Sequence, residues 1–267
     1  EIKARLFRTY PLGETGAHLI GYIGRINQRD KERIEDSDDA ANYRGTDYIG
    51  KLGVEASYEK LLHGTTGVQQ METSAGGRAV RRLASQPATP GDSIQLSIDI
   101  RLQKLVEDLY GERRGALVAI DPQNGEVLAL VSKPTFDPNL FVDGIDQESW
   151  DELNQSIDKP LLNRALRGTY PPGSTYKPFM AMAALESGKR TPATTIMDGG
   201  SWTFGGHTFR SGHALGPVDL HRAIAKSSNV YFYQLANDMG VNAIHDFMKP
   251  LGFGQITGID LPGEMRG

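Results

Sequence analysis

The sequence predicts an α+β protein in which helices pack on an antiparallel sheet. The first observation is a pair of apolar runs that flank residues 121–125, DPQNG. That pentapeptide is a strong hairpin signal, because Asn-Gly adopts a positive φ at low cost. The second observation is that long helical patterns follow at residues 179–187, 220–239 and 243–251. Strands that come before a run of helices are typical of the α+β class.

The composition restricts what the chain can bind. Of its 267 residues, 39% are hydrophobic and 23% are charged, which is ordinary for a globular protein and enough for one large or two modest domains. The net charge of -4 gives no reason to expect nucleic acid, which needs a basic surface. The lack of cysteine excludes disulfides and thiolate metal sites, and we expect no cofactor.

The ends of the sequence carry no targeting signal. No apolar run is long enough to cross a bilayer, and no signal peptide precedes the first residue, Glu1. We therefore expect a processed, trimmed or engineered chain.

Two domains are predicted, over residues 1–90 and residues 91–267. The boundary is placed at residues 85–92, SQPATPGD, which are rich in Pro, Ser and Gly. In the first domain, the stretch GVEASYEKLLHG (residues 53–64) predicts one short amphipathic helix that ends before its last glycine.

The second domain opens with a predicted strand, a helix and a hairpin. The strand is predicted from three alternating apolar residues: Ile94, Leu96 and Ile98. Asp99 follows it and can cap a helix. We expect the buried face of that helix to consist of four residues: Leu102, Leu105, Val106 and Leu109. Both arms of the hairpin around residues 121–125 are apolar throughout, which predicts a sheet covered on both faces.

The candidate catalytic residues are Ser174 and Lys177 in the stretch TYPPGSTYKP. A serine and a lysine three positions apart on a helix lie on one face, one turn apart. The amine can then reach the hydroxyl and take its proton, which activates a serine nucleophile. The spacing alone is weak support, because two other pairs share it: Ser57/Lys60 and Ser156/Lys159.

The surroundings of this pair distinguish it from the other two. Residues 171–173, PPG, stop any preceding helix, and Pro178 is tolerated only in the first turn of a helix. A helix must therefore begin near Ser174 or Thr175. In one of the other pairs, by contrast, Pro160 disfavours helix at the lysine before it.

The opening turn of a helix would assist both candidate side chains. Free backbone N–H groups and the positive end of the helix dipole can stabilise an oxyanion that develops beside Ser174. A lysine with the reference pKa is neutral in only about one molecule in 2,500 at pH 7. Burial and positive potential would lower the pKa of Lys177 toward that of a usable base.

The second candidate group is the triplet Ser227-Ser228-Asn229 in KSSNVYFYQLAND. A Ser-x-Asn triplet alone usually marks a turn or a helix cap. Here it follows a Ser-x-x-Lys helix opening in the chain, and both motifs lie beside apolar helices, which favours a shared site.

These motifs together resemble the penicillin-binding proteins and serine β-lactamases, which carry Ser-x-x-Lys, Ser-x-Asn and Lys-Thr-Gly. The chain is most similar to the class B penicillin-binding proteins, and among them to elongation-type members, over residues 12–267. The segments that carry the resemblance are YPPGSTYKP, SKPTFDPNLFVDGI, LLNRALRG, KSSNVYFYQLANDMG and GFGQITGIDLPGE, with YIGKLGVEASYEKLLHGTTG and GGRAVRRL upstream.

The resemblance implies a fold and a set of roles. Residues 91–267 would form a penicillin-binding/serine β-lactamase-like transpeptidase domain, preceded by a smaller β-rich pedestal of the dimerisation type. The implied roles are four: Ser174 is the acylated nucleophile, Lys177 its proton acceptor, Ser227 a relay toward the leaving amine, and Asn229 a contact for the substrate's amide carbonyl.

The resemblance also implies substrates, partners and location. The substrates would be peptidoglycan stem peptides that end in D-Ala-D-Ala, and β-lactam antibiotics would acylate the same serine. An amine from a neighbouring stem peptide would resolve the acyl-enzyme and form a cross-link. A SEDS-family glycosyltransferase and other elongation-complex proteins would be partners. An N-terminal membrane helix, absent from this sequence, would anchor the protein in the bacterial inner membrane with its catalytic part in the periplasm.

One departure from the family pattern concerns the third motif. None of the lysines is followed by Thr-Gly or Ser-Gly. In the family that strand supplies a second oxyanion donor and a contact for the substrate carboxylate. We therefore expect the sequence to stop before the Lys-Thr-Gly strand and to lack a complete active site.

Two alternatives stay open. A β-lactamase-related hydrolase shares the fold and the serine, although the pedestal-like first region argues against it. A scaffold or docking module of the cell-wall elongation complex is the non-enzymatic alternative. A metal site at Asp198, His207 and His213 is disfavoured, because their spacing fits no compact metal motif.

Overall fold

The computed structural model describes residues 7–267, and this part of the chain divides into two compact units. The first contains residues 7–168 and Ile259–Met265, and the second contains Thr169–Gly258 and Arg266–Gly267. Within residues 7–267, no helix has the length and apolar character that crossing a membrane requires. Residues 1–6 of the predicted first domain lie outside the described residues. The domain boundary proposed at residues 85–92 stays a prediction.

The first unit combines short helices with antiparallel strand pairs. Its helices are α1 (Ala17–Ile20), α2 (Gln28–Glu35), α3 (Gly53–Ser57), α4 (Glu59–Leu62), α5 (Ile100–Tyr110), α6 (Gln147–Gln155) and α7 (Arg164–Arg167). Its strands are β1 (Ile23–Arg25), β2 (Tyr48–Gly50), β3 (Val68–Thr73), β4 (Ala79–Gln86), β5 (Gly115–Ile120) and β6 (Val127–Lys133). Among the described residues, these strands pair as β1–β2, β3–β4 and β5–β6.

The helix predicted over residues 53–64 is divided into α3 and α4. The break falls at Tyr58, whose φ of -109° and ψ of 17° leave the helical region. The Tyr58 hydroxyl donates to Asp260, and its ring packs on the apolar cluster that includes Leu19 and Val54. The pattern therefore located the helical segment, but tertiary contacts of one tyrosine interrupt it.

Helix α5 begins as predicted, and its buried face includes the predicted Val106 but not two of the predicted leucines. Asp99 accepts hydrogen bonds from two backbone N–H groups of the first turn, which confirms the predicted N-cap. The predicted face is wrong at Leu105 and Leu109, which are 53% and 66% exposed, whereas Gln103 is 0% exposed. The Gln103 amide donates to the Leu130 carbonyl at 2.9 Å and accepts from the Leu130 N–H at 2.8 Å. Its two bonds to the β6 backbone explain why an amide occupies the buried face.

The hairpin predicted at residues 121–125 is present as β5 and β6, paired from Gly115↔Lys133 to Ile120↔Val127. The expectation that both faces are covered holds for β6, which is largely buried, but not for β5, where Val118 and Ile120 are exposed. The strand expected from Ile94, Leu96 and Ile98 forms no ladder within the described residues. The three side chains nevertheless pack on the apolar cluster that contains Leu130.

The buried core of the second unit is formed mainly by helices. Its helices are α8 (Lys177–Glu186), α9 (Leu220–Ala225), α10 (Asn229–Met239) and α11 (Val241–Met248). Its strands are β7 (Ile196–Asp198), β8 (Ser201–Phe204), β9 (His207–Arg210) and β10 (Gly216–Val218), which pair as β7–β10 and β8–β9 within the described residues. The largest buried cluster joins Met180 of α8, Ala223 of α9, and Tyr231 and Leu235 of α10.

The long helix expected over residues 220–239 is two helices, α9 and α10. Ser227 lies between them with a φ of 54°, a left-handed conformation that ends α9. The Ser228 side chain then accepts from the Tyr231 N–H and caps α10. The interruption places a tight corner at the start of α10.

Candidate active site

Ser174 lies on an exposed helical opening. A 3-10 turn, Gly173–Tyr176, runs directly into α8, and Pro178 occupies the first turn of that helix. Gly173 has a φ of 57°, so the turn that leads into the serine uses a conformation that glycine adopts without strain. The helical opening predicted near Ser174 is therefore confirmed.

The Lys177 amine is held by three oxygens of the α9–α10 corner. Its Nζ atom donates to the Ser227 carbonyl at 2.7 Å, to the Ser227 Oγ at 2.9 Å and to the Asn229 Oδ1 at 2.6 Å. A protonated lysine has three N–H donors, so this arrangement satisfies all of them. Loss of one proton would leave a lone pair free to accept a bond from the Ser227 hydroxyl instead.

The Ser227 hydroxyl also contacts Ser174. Their Oγ atoms lie 2.8 Å apart in a hydrogen bond. Within residues 7–267 the structure has no hydrogen bond between Lys177 Nζ and Ser174 Oγ. The two atoms are instead connected through Ser227 Oγ, which is hydrogen-bonded to both. The four residues singled out in the sequence thus lie together, with the hydroxyl of Ser227 in the centre. A direct transfer from Ser174 to Lys177 stays a prediction.

Burial shifts the lysine toward its neutral form. Burial lowers the pKa of Lys177 from its ordinary value of 10.5. The Nζ atom also lies 5.6 Å from the centre of the Phe232 ring on α10, a cation–π contact that acts in the opposite direction by favouring the charged amine. No ion pair of Lys177 with a carboxylate is present in the described part of the chain.

Sequence reasoning missed a buried pair behind the corner. The Ser228 hydroxyl donates to the Asp198 Oδ2 at 2.5 Å. The sequence suggests for Asp198 only a disfavoured role as a metal ligand. Within residues 7–267 no group of three or more His, Cys, Asp or Glu side chains is placed to hold a metal ion. A helix-capping serine is visible in the sequence, but its carboxylate partner comes from a distant strand and gives no local signal.

The site as a whole joins an exposed hydroxyl to an amine with a lowered pKa. Such an arrangement can generate a serine nucleophile and return a proton to a leaving group. The start of a helix beside the serine adds backbone N–H groups that can face an oxyanion.

Two family descriptions match the sequence. The penicillin binding protein transpeptidase domain matches residues 115–267, and the penicillin-binding protein dimerisation domain matches residues 1–96. The chain belongs to the penicillin-binding protein family. The Ser-x-x-Lys and Ser-x-Asn motifs both lie in the part of this penicillin-binding protein that matches the transpeptidase domain.

Curated relatives of this penicillin-binding protein carry the name peptidoglycan D,D-transpeptidase MrdA. The protein from Haemophilus influenzae is 45% identical over 99% of this chain and 41% of its own length. The protein from Acinetobacter baumannii is 47% identical over 100% and 40%, and that from Escherichia coli K12 is 42% identical over 100% and 43%. The chain therefore spans about two fifths of the length of the curated relatives it matches.

Solved structures of penicillin-binding proteins have the same fold. Pseudomonas aeruginosa PBP2 in complex with WCK 5153 matches with a TM-score of 0.84 and 44% identity over 98% of this chain and 54% of that one. The complex between PBP2 and MreC from Helicobacter pylori matches with a TM-score of 0.86 and 34% identity over 98% and 48%. These matches confirm the predicted α+β fold class and the resemblance to penicillin-binding protein 2.

Proposed function

We propose that this site is the acylation site of a serine-type peptidoglycan D,D-transpeptidase, the activity in the names of the MrdA relatives. The observation that carries the proposal is the unbroken line of hydrogen bonds from Ser174 Oγ through Ser227 Oγ to Lys177 Nζ. In this proposal Ser174 is the nucleophile and Lys177 is the base, with Ser227 between them.

The first step transfers an acyl group to Ser174. Its oxygen attacks the carbonyl carbon of the bond between the two terminal D-alanines of a stem peptide. Its proton passes to Ser227, whose own proton passes to the neutral amine of Lys177. The C–N bond then breaks, and a proton returns from Lys177 through Ser227 to the departing D-alanine nitrogen. A β-lactam would react in the same way, except that its nitrogen stays attached to the acyl group.

The second step releases the serine. An amine of a neighbouring stem peptide attacks the ester carbon and forms an amide cross-link, while its proton passes to the Ser174 oxygen as the ester C–O bond breaks. Asn229 holds Lys177 with its carbonyl oxygen, which leaves its amide N–H groups as the donors for the substrate's carbonyl. The positions of Asn229 and Lys177 support the roles that the family resemblance implies for them.

The test is acylation of the protein that carries this chain by a fluorescent penicillin, with the labelled peptide identified by mass spectrometry. Ser174→Ala should abolish labelling, because among residues 7–267 the Ser227 hydroxyl links the Lys177 amine to no other side-chain hydroxyl. The matched control is Ser57→Ala, which removes a serine of another Ser-x-x-Lys pair and should label like the parent. An adduct on a different serine, or full labelling of Ser174→Ala, would overturn the proposal.

The two alternatives make different predictions in the same experiments. A β-lactamase-related hydrolase would turn over nitrocefin repeatedly and show only transient labelling. A purely non-enzymatic scaffold would show no covalent labelling and would support cross-linking equally well with alanine at Ser174. A transpeptidase should accumulate the acyl-enzyme and lose cross-linking in that variant.

The location and partners belong to the same proposal. We place the protein at the bacterial inner membrane with this part in the periplasm, where stem peptides are found. Residues 1–90 would be the pedestal domain, in agreement with the dimerisation match over residues 1–96. Because PBP2 from Helicobacter pylori forms a complex with MreC, proteins of the elongation complex, including a SEDS-family glycosyltransferase, are proposed partners. Copurification of such partners with the complete protein is the direct check.

A further inference from the structure

We propose that Asp198 is a positioning residue of the acylation site, which acts through Ser228 on the Ser227–Asn229 corner. The inference rests on the proposed function and adds a residue to which no motif of the family resemblance points. It concerns the lock formed by the carboxylate of Asp198 and the hydroxyl of Ser228, called the Asp198–Ser228 lock below.

The Ser228 hydroxyl is fully used by two partners. It donates to Asp198 Oδ2 at 2.5 Å and accepts from the Tyr231 N–H at 3.1 Å. Its residue is 1% exposed, and its backbone N–H donates to the Ala223 carbonyl at 2.8 Å. An ordinary capping serine needs only the bond to the helix N–H, and its own proton is free to turn toward water. Here a buried carboxylate accepts a hydrogen bond from that hydroxyl and fixes the side chain.

Asp198 is itself held rigidly. It ends β7, where it pairs with Gly216 of β10, and it is 0% exposed. Its Oδ1 accepts from the Gly200 N–H at 2.9 Å, and its carbonyl accepts from the Leu215 N–H at 3.1 Å. Both carboxylate oxygens therefore have donors, and the short bond to Ser228 has the length of a charge-assisted hydrogen bond. A strand pair thus provides the fixed point for the corner.

The residue that the lock supports is strained. Ser227 has a φ of 54°, one of two non-glycine residues with a positive φ among residues 7–267, the other being Lys159. Such a conformation is strained for a residue with a Cβ and persists only where its surroundings determine it. On one side Ser227 is tied to α9 by its N–H bond to Ile224 at 3.0 Å. On the other side its neighbour Ser228 is fixed by the lock.

The strained corner is also what brings the catalytic oxygens together. In this conformation both the carbonyl and the hydroxyl of Ser227 face the Lys177 amine, and the hydroxyl also reaches Ser174. Without the lock, Ser227 can relax toward a right-handed conformation, which would move its hydroxyl away from the line between Ser174 and Lys177. Misplacement by about 1 Å is enough to reduce a reaction rate by about 10²-fold.

The experiment measures the rate of Ser174 acylation as a function of fluorescent penicillin concentration, which separates noncovalent affinity from the rate of covalent reaction, together with thermal unfolding, in the protein that carries this chain. Asp198→Ala should lower the acylation rate by about 10²-fold, with the loss in the rate of covalent reaction rather than in noncovalent affinity. Asp198→Asn keeps an oxygen acceptor of the same size and should recover most of that loss. The control is Leu235→Ala, which weakens the buried core on the same helix, α10, without touching the lock.

The results distinguish failure of the proposed function from failure of this inference. If the parent protein is not acylated at Ser174, the proposed function fails. If the parent is acylated and Asp198→Ala reacts as fast as the parent per folded molecule, as we expect of Leu235→Ala, the lock has only a structural role and the inference is overturned. Ser228→Ala removes the hydroxyl alone and gives the same comparison should Asp198→Ala fail to fold, with Ser228→Thr as its conservative partner.

Discussion

His18 should make the first unit sensitive to mild acid. The residue lies in α1 and is 6% exposed, with its ring packed edge-on against Phe136 at a centroid distance of 5.0 Å. Burial lowers the pKa of His18 from its ordinary 6.5 to about 4, and the positive charge of Arg164 acts in the same direction. Carbonyl oxygens of Pro160 and Pro134 oppose the shift but do not cancel it.

The change in stability with pH follows from the difference between the pKa of His18 in the unfolded and in the folded chain. The unfolded chain binds a proton at His18 near pH 6.5, whereas the folded chain resists it until about pH 4. Stability is therefore complete above pH 6.5 and falls progressively between these two values. Each pKa unit corresponds to 1.36 kcal/mol, so this one residue removes about 3 kcal/mol of unfolding free energy by pH 4. That amount is a large fraction of the total stability of an ordinary domain.

The assay is urea unfolding of the protein at a series of pH values from neutral to pH 4, compared with the variant His18→Gln. Glutamine can still donate a hydrogen bond to a nearby carbonyl, but it does not titrate. Other groups contribute to acid denaturation in both proteins, so the difference between the two curves isolates the histidine. We expect the variant to lose about 3 kcal/mol less than the parent over this range. Parallel curves would refute the account of a buried neutral histidine.

Three further outcomes follow from the structure. The rate of Ser174 acylation should rise with pH through the lowered pKa of Lys177, because only the neutral amine accepts a proton, and should level off below 10.5; a flat profile would contradict the role of the amine. Gln103→Ala should destabilise the protein by about 2–4 kcal/mol in urea unfolding, because it leaves two buried backbone groups of β6 without partners, and a change within about 0.5 kcal/mol would contradict this. Gly21→Ala should lower the unfolding free energy by more than about 1 kcal/mol, since its Cβ would lie 1.9 Å from the Leu52 carbonyl oxygen and its φ is 76°; a melting temperature like the parent's would show that this close approach is not required.

The parts of the fold that the sequence predicts are those determined by neighbouring residues. Asp99 precedes a helical pattern and caps it, and the turn at residues 121–125 joins two antiparallel strands. The proline at position 178 places the start of α8 correctly. In each case the signal lies within a few residues of its effect, so the local sequence contains the whole cause.

The parts that were wrong depend on contacts from far along the chain. Gln103 occupies the buried face of α5 because β6 offers it a backbone N–H and a carbonyl, which an apolar periodicity does not detect. The helix expected over residues 220–239 has apolar segments on both sides of KSSN (residues 226–229), and Ser227 within that polar stretch adopts a left-handed conformation. The partner that fixes this corner, Asp198, lies in another strand. A hydrophobic period therefore identifies which segments are helical but not where tertiary contacts interrupt them.

The three Ser-x-x-Lys pairs show what the motif requires beyond its spacing. Lys159 adopts a φ of 46° after the end of α6, so it does not share a helix face with Ser156, as the proline that follows it predicted. Ser57 and Lys60 fall on either side of the break between α3 and α4. In the remaining pair the lysine is held through a third residue, Ser227, that no spacing rule includes. The chemistry therefore depends on a corner that is assembled by the tertiary fold, and the Ser-x-x-Lys spacing becomes specific only where such a corner faces it.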